Sequence, residues 1–474
     1  MAERSDAREP AGTWWVLAGL AAAVVALKIP TLGTPGFWDE LGWLDQARWL
    51  SENNLLRVIP GLRPPARFWG HPPGLHLTLA IPWKLFGASL PIARGLLAAY
   101  AAVGVCATFL LARHFYDTRR ALFAAALLAL SPAFLAPAGM FLSDMPVTSL
   151  AVLSVYLACR NRYLAYLLCA SYMVVVKETA MAIIAAIVVY RFIDGGWRLT
   201  RDAVRDALRY TAPLAVIGAF ATYQKFITGH FFFLFDFEFD ALMVRNVPTI
   251  VDHVADITRW VFVDQLRWLM TAAIALNLLI NPSARMRHLW LFALIVVMSG
   301  YSFAVLYYMP RYVLPVLPFL YIAGAAAVLD LARTRARQVA ASGIAVALSV
   351  WVLVRDPHRR NGEDNFQYLR TIRIHRAMAA HVAQSYPSAR ILTSWPVAAE
   401  FADPLFGYVD RPLRVTWFNR EKGVGDAELI VISEPSNAQA GELRALAAAA
   451  GWRVIRREST ANAQIELFGP PSAK

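Results

Sequence analysis

HPPGLHLTLAIPWKLFG, residues 71–87, is the stretch on which the reading of the whole chain turns. It is apolar enough to suggest a bilayer crossing. It is also shorter than the ~20 residues an upright transmembrane helix needs, is broken by Pro72, Pro73 and Pro82, and contains Lys84. Its surroundings are those of a polytopic membrane protein. Of 474 residues, 58% are hydrophobic and 17% charged, and the mean hydropathy is +0.45. A soluble domain carries about a quarter charged residues. Eleven other apolar runs could span: 12–30, 91–112, 121–139, 145–159, 163–176, 179–193, 210–228, 258–281, 288–308, 311–330 and 339–354. If 71–87 crosses as well, everything after it changes side.

Arginine arbitrates, because cytoplasmic loops collect Lys and Arg. The loops 113–120, 160–162, 191–209, 285–288 and 331–337 are all arginine-rich, and each lies two spans from the next. They fall together in the cytoplasm if 71–87 does not cross and the N-terminus lies inside. The spacing therefore predicts eleven spans, with the N-terminus in and the C-terminus out. The same loops account for the net charge of +13. No zinc-finger, helix-turn-helix or RNA-binding signature accompanies it, so no nucleic-acid partner is expected. The opening MAERSDAREP is of mixed charge and the run after it is long for a signal sequence, so an uncleaved first span is expected. The three cysteines, Cys106, Cys159 and Cys169, lie in or beside apolar runs and suggest neither disulfides nor a metal site.

On this reading 71–87 is a re-entrant or surface-lying helix in a long first external loop, 31–90. That loop also holds LGWLDQARWLSENNLL, whose Leu and Trp recur at helical spacing opposite polar residues, as in an interfacial helix. Residues 1–354 form the membrane domain. Residues 355–474 regain ordinary polarity and alternate helix with strand: NFQYLRTIRIHRAMAAHVAQSY, ARILTS, DAELIVIS, GELRALAAAAG, WRVIRRES and QIELFG. That order predicts a small α/β domain, extracytoplasmic by the parity chosen.

The parity rests on arginines, yet it gathers acids on the opposite side. Asp39 and Glu40, beside Trp38, lie in the first external loop, Asp144 in the second and Lys177-Glu178 in the third. His71 shares the first loop and Arg311-Tyr312 open the tenth span from outside. Each has a plain alternative. Asp144 precedes Met-Pro and could cap a helix, Lys177-Glu178 could pair locally, Arg311 could reach for headgroups, and Asp39-Glu40 or His71 could be solvated loop residues. Asp264 and Arg267 are expected to pair along one helix. FFFLFDFEFD, 231–240, reads as an interfacial aromatic belt or a lipid or acceptor contact.

Together these residues suit sugar transfer from a lipid phosphate. Phosphate is a good leaving group, so the chemistry needs a carboxylate to take the acceptor's hydroxyl proton and cations to neutralise the departing charge. Asp39 fits the first part; His71, Lys177 and Arg311 fit the second.

The Asp-Glu pair, then HPPG (71–74), SDMP (143–146), KET (177–179) and RYVLPVLP (311–318), resembles the C-type glycosyltransferases over about 12–330. The nearest branches are the protein O-mannosyltransferases and the bacterial lipid A aminoarabinose transferases. The resemblance implies a polyprenyl- or dolichyl-phosphate sugar donor, inverting transfer to a glycan, lipid or protein acceptor, and a bacterial inner-membrane location. It implies Asp39 as base, Asp144 as the second-loop acid, and His71, Lys177, Arg311 and Tyr312 at the donor phosphate, with Glu40, Glu178 and Trp38 beside them. At His71 those branches often carry lysine. They use no metal or other cofactor, unlike the oligosaccharyltransferase branch. The β-trefoil of the mannosyltransferases has no counterpart of sufficient length, which favours the bacterial branch. A transporter or flippase for lipid-linked sugars is the alternative, but paired halves with broken helices at mid-membrane are not evident. A non-catalytic scaffold would leave the grouping of Asp39, His71 and Arg311 unexplained.

Overall fold

The computed structural model describes residues 12–471 apart from 56–70, 195–199, 230, 232–242, 282–285, 356–361 and 438. Most of the aromatic-acidic loop at 231–240 therefore lies outside the described residues, as does part of the first long loop. The helices of the membrane domain are α1 (Gly12–Lys28), α2 (Glu40–Glu52), α3 (Gly74–Phe86), α4 (Leu90–Phe115), α5 (Thr118–Ala129), α6 (Pro132–Leu135), α7 (Asp144–Cys159) and α8 (Tyr163–Val176). They continue with α9 (Met181–Asp194), α10 (Arg201–Arg209), α11 (Pro213–Thr228), α12 (Val247–Phe262), α13 (Arg267–Ile280), α14 (Met286–Ile295), α15 (Leu317–Leu331) and α16 (Arg335–Arg355).

Among the described residues, five segments are long and apolar enough to cross a membrane: Gly12–Thr31, Leu90–Phe115, His288–Val305, Pro310–Leu331 and Arg335–Arg355. Two bent pairs raise the number to seven if each is one span. All eleven apolar runs are wholly or largely helical, but two are not straight. The run 121–139 bends by 65° between α5 and the segment Pro132–Gly139. The run 258–281 is not one helix: α12 and α13 meet at 85°, through Gln265 and Leu266 at φ 53 and 63. Left-handed backbone at two successive non-glycine residues ends a helix. The break also undoes the expected Asp264–Arg267 pair. Asp264 instead pairs with Arg259 at 3.2 Å, while buried Arg267 donates from Nε to the carbonyls of Trp260 and Val261 at 2.8 and 3.1 Å.

Local chemistry sets the other boundaries. Asp117 caps α5, its carboxylate accepting from the backbone N–H groups of Arg119 and Arg120 at 2.9 and 3.0 Å. Gly229, at φ 81, ends α11. The stretch 71–87 forms α3, only 13 residues long with Pro82 inside it, and it is not among the segments long enough to cross. The loop helix α2 turns Leu41, Trp43, Leu44, Ala47 and Leu50 into the core.

The C-terminal domain comprises α17 (Tyr368–Ser385), β1 (Arg390–Thr393), α18 (Val397–Ala402), β2 (Arg414–Trp417), β3 (Leu429–Glu434), α19 (Ala440–Ala449), β4 (Arg453–Ser459) and β5 (Gln464–Gly469). Its sheet runs β2-β1-β3-β5-β4. β1 is parallel to β2 and β3, and β5 is antiparallel to β3 and β4. Alternate residues face opposite layers. Ile430 and Ile432 pack with Leu443 and Ala447 of α19, whereas Leu429 and Val431 join a core continuous with the membrane helices. Inside, His375 lies 2.7 Å from Glu400 and 2.7 Å from the Ser433 hydroxyl. This wholly buried array ties α17, α18 and β3 together.

The domain also grips the first loop. Gly36 donates its N–H to the Phe406 carbonyl at 3.0 Å, and the Tyr408 hydroxyl donates to the Gly36 carbonyl at 2.8 Å. The loop just before Trp38 and Asp39 is therefore fastened by a domain that begins over three hundred residues later.

Candidate functional site

The acids and cations of the loops meet at one end of the helices. Asp144 opens α7, Lys177 and Glu178 join α8 to α9, His71 precedes α3, and Arg311 lies in the 3-10 turn Pro310–Val316 that leads into α15. The arginine-rich loop 113–120 lies at the other end of these helices. Arg113, at the end of α4, donates to Thr13 at the start of α1, and Arg120 pairs with Asp330 at the end of α15.

Arg311 is the hub. Its Nη2 donates to Asp39 Oδ2 at 2.7 Å, its Nε lies 3.2 Å from Asp144 Oδ2, and its Nη1 contacts Glu363. Lys177 donates to the other Asp144 oxygen at 2.7 Å and stands 4.1 Å above the centre of the Tyr312 ring, a cation–π contact. The side chains of Arg311, Asp144 and Lys177 are 5%, 5% and 7% exposed, whereas Asp39 is 28% exposed. Buried charges are costly unless paired, and the pairing here leaves Asp39 the accessible one. The capping role that the sequence allows Asp144 is not taken up: no side chain caps α7, and the carboxylate goes to Lys177 and Arg311. Asp39 likewise stands before α2 without capping it.

His71 Nδ1 lies 3.0 and 3.2 Å from the two Glu178 oxygens. Burial pushes the Glu178 carboxyl up, but the charge and hydrogen bond of His71, with Lys177 beside it, outweigh burial and hold it below the usual value. The His71 ring stacks on Trp43 at 5.4 Å, and Trp43 stacks on His76 at 4.5 Å. Gly74 allows the approach that brings His71 to Glu178. A Cβ there would stand 2.5 Å from the Val175 carbonyl oxygen at the end of α8.

Glu40 points away from this cluster. It is fully buried. Arg94 of α4 contacts both its oxygens, that to Oε2 being 3.0 Å, and they also accept from the N–H groups of Phe37 at 3.0 Å and Phe141 at 2.6 Å. Arg94 further donates to the carbonyls of Thr34 and Pro35 at 3.1 and 3.0 Å. The pair fixes the loop that carries Asp39, so Glu40 positions its neighbour. Just before Asp39 in the loop, Trp38 adopts φ 51, a left-handed conformation that costs a bulky residue about 1–3 kcal/mol. Clamps on both sides hold it there.

The comparisons with known proteins agree with this frame. A family model described as dolichyl-phosphate-mannose-protein mannosyltransferase matches residues 70–223. Among solved structures, ArnT from Cupriavidus metallidurans in the apo state superposes with a TM-score of 0.60 at 17% identity, covering 97% of this chain and 98% of that one. The chain has the C-type glycosyltransferase fold. A second ArnT structure from the same organism, bound to undecaprenyl phosphate, gives a TM-score of 0.56 at 14% identity over 96% of this chain and 98% of that one. The oligosaccharyltransferase of Archaeoglobus fulgidus, in complex with zinc and sulfate, gives 0.55 at 14% identity over 91% of this chain and 69% of that one. No curated protein sequence matches the chain.

The cluster thus joins Asp39, Asp144, Lys177, Arg311 and Tyr312, with the His71–Glu178 pair attached through Lys177. Two residues of the site do not emerge from the sequence reading. Arg94 has a signal, an arginine in the first turns of an apolar helix, which is costly unless a partner waits. Glu363 has none, since it lies in a run of charged residues that reads as linker.

Proposed function

We propose that the protein is an integral-membrane glycosyltransferase that moves a sugar from a polyprenyl-phosphate donor to an acceptor hydroxyl at the extracytoplasmic face. The observation that carries this reading is the Asp39–Arg311–Asp144–Lys177 array: one accessible carboxylate beside two enclosed cations. Among the similar structures, ArnT is one whose complex holds undecaprenyl phosphate, which supports the donor class.

Asp39 is the general base. As the acceptor oxygen attacks the anomeric carbon, its proton passes to the Asp39 carboxylate. The bond from the anomeric carbon to the phosphate oxygen breaks, and the electron pair leaves with the phosphate. Attack opposite the leaving group inverts the anomeric centre. Arg311 and Lys177 stabilise the departing charge, the first through a planar fork and the second as a point charge. His71 adds a donor on the Glu178 side. Tyr312 supports Lys177 through its ring face. Asp144 holds both cations in register, and Glu40 with Arg94 holds the base. These cations perform the neutralisation, so the mechanism needs no metal. In this reading the N-terminus and the arginine-rich loops lie in the cytoplasm of a bacterial inner membrane, and residues 355–474 lie outside.

Purified protein incubated with a panel of polyprenyl-phosphate sugars and with lipid, glycan and peptide acceptors should yield a product heavier by one sugar by mass spectrometry. Flux of intact lipid-linked sugar across vesicles, with no transfer to any acceptor, would favour a carrier instead.

A further inference from the structure

Glu363 belongs to the site, yet the transfer reaction gives it no task. It lies in the link between α16 and the C-terminal domain, and its side chain is 9% exposed. Its Oε2 forms an ion pair with Nη1 of Arg311 without satisfying that nitrogen's hydrogen bond, and its Oε1 is enclosed with no hydrogen-bond partner. A half-satisfied buried carboxylate is an expensive arrangement. The neighbouring backbone is anchored. Asp364 accepts from Trp260 Nε1 at 2.7 Å, and its carbonyl accepts from Gln265 at 3.3 Å. Those contacts pin the link to the sharp corner between α12 and α13, and the pinned link aims Glu363 at Arg311.

The charge balance gives this contact a meaning. Around Arg311 the described residues supply four carboxylates, Asp39, Asp144, Glu178 and Glu363. They supply the cations Arg311 and Lys177, and a third if His71 is protonated. The cluster is therefore net negative before any phosphate arrives. Adding a phosphodiester anion to such a cluster is opposed by like charge. Exchanging one carboxylate for the phosphate leaves the balance unchanged. Three of the carboxylates are committed: Asp39 to the reaction, Asp144 to both cations and Glu178 to His71. Among the described residues, Glu363 alone pairs with nothing but Arg311.

Resting on the donor proposed above, we infer that Glu363 occupies the phosphate seat on Arg311 and sets donor affinity by competing for it. The donor phosphate binds by taking over Nη1 as the Glu363 side chain turns away, while Asp364 keeps the link in place. A residue with this role differs from a structural one in a measurable way, because its removal tightens binding.

The test uses the full-length protein in nanodiscs, with undecaprenyl phosphate as probe and the uncharged polyprenol as control. Glu363→Gln keeps the shape and removes the charge. It should bind undecaprenyl phosphate about tenfold more tightly than the wild type, with polyprenol binding unchanged. Glu363→Ala should show the same gain, which separates lost competition from any new contact made by the amide. Unchanged or weaker phosphate binding by both variants, when the wild type prefers the phosphate to the alcohol, overturns the inference and leaves the donor reading standing. A wild type with no such preference overturns the donor reading, and the inference with it.

Discussion

Adjacent acids can have unrelated duties, and Asp39 and Glu40 show why. Asp39 is part-exposed and points to Arg311, whereas Glu40 is sealed against Arg94 and two backbone N–H groups. A base needs access to a substrate, so of the two only Asp39 suits the proposed role. Breaking a buried ion pair from one side costs about 3–5 kcal/mol, because the other charge stays uncompensated. Arg94→Met should therefore lower thermal stability markedly, and the double variant with Glu40→Gln should recover much of the loss. Calorimetry on the three proteins decides it; a single variant as stable as the wild type would remove Glu40 and Arg94 from the framework. The sequence exposes the Asp-Glu pair but not this division. Which carboxylate stays exposed depends on Arg94, in a helix that begins fifty residues later.

Among the elements, the start of α3 carries the most consequence. HPPG places His71 just ahead of a helix whose first residue, Gly74, lies against the backbone of α8. Backbone cannot yield as a flexible side chain can. Gly74→Ala should force α3 away from α8, carry His71 from Glu178, and destabilise the fold by about 1–3 kcal/mol as overpacking does. A crystal or cryo-EM structure of the variant with the His71–Glu178 distance still near 3.0 Å would refute that account. Much at this scale is legible in the sequence. Four of the five strands and both long helices of the tail follow from periodicity alone. The strand β2 does not: its four residues Arg414–Trp417 alternate polar and apolar over too short a run to stand out, and none of them is buried. The corner between α12 and α13 also escapes, since Asp264-Gln265-Leu266-Arg267 contains neither glycine nor proline to announce a bend of 85°.

The whole molecule behaves as a frame around one short loop. The membrane helices supply Arg311, Lys177 and Asp144 from one end. Arg94 ties residues 34–40 to α4, and the C-terminal domain fastens Gly36 through Phe406 and Tyr408. Such pre-organisation holds reacting groups in place before substrate arrives. Arginine counting places these loops together, since charge sets side, but it cannot show that a distal domain closes over the loop. The central claim is that the framed aspartate accepts a proton during transfer from a phosphate held by the neighbouring cations. Asp39→Asn tests it with almost no change in shape. In nanodiscs loaded with a polyprenyl-phosphate sugar and acceptor, this variant should lose turnover by at least about a hundredfold, the scale of general-base catalysis, while undecaprenyl phosphate binds at least as tightly as to the wild type. Turnover within a few-fold of the wild type would contradict the account.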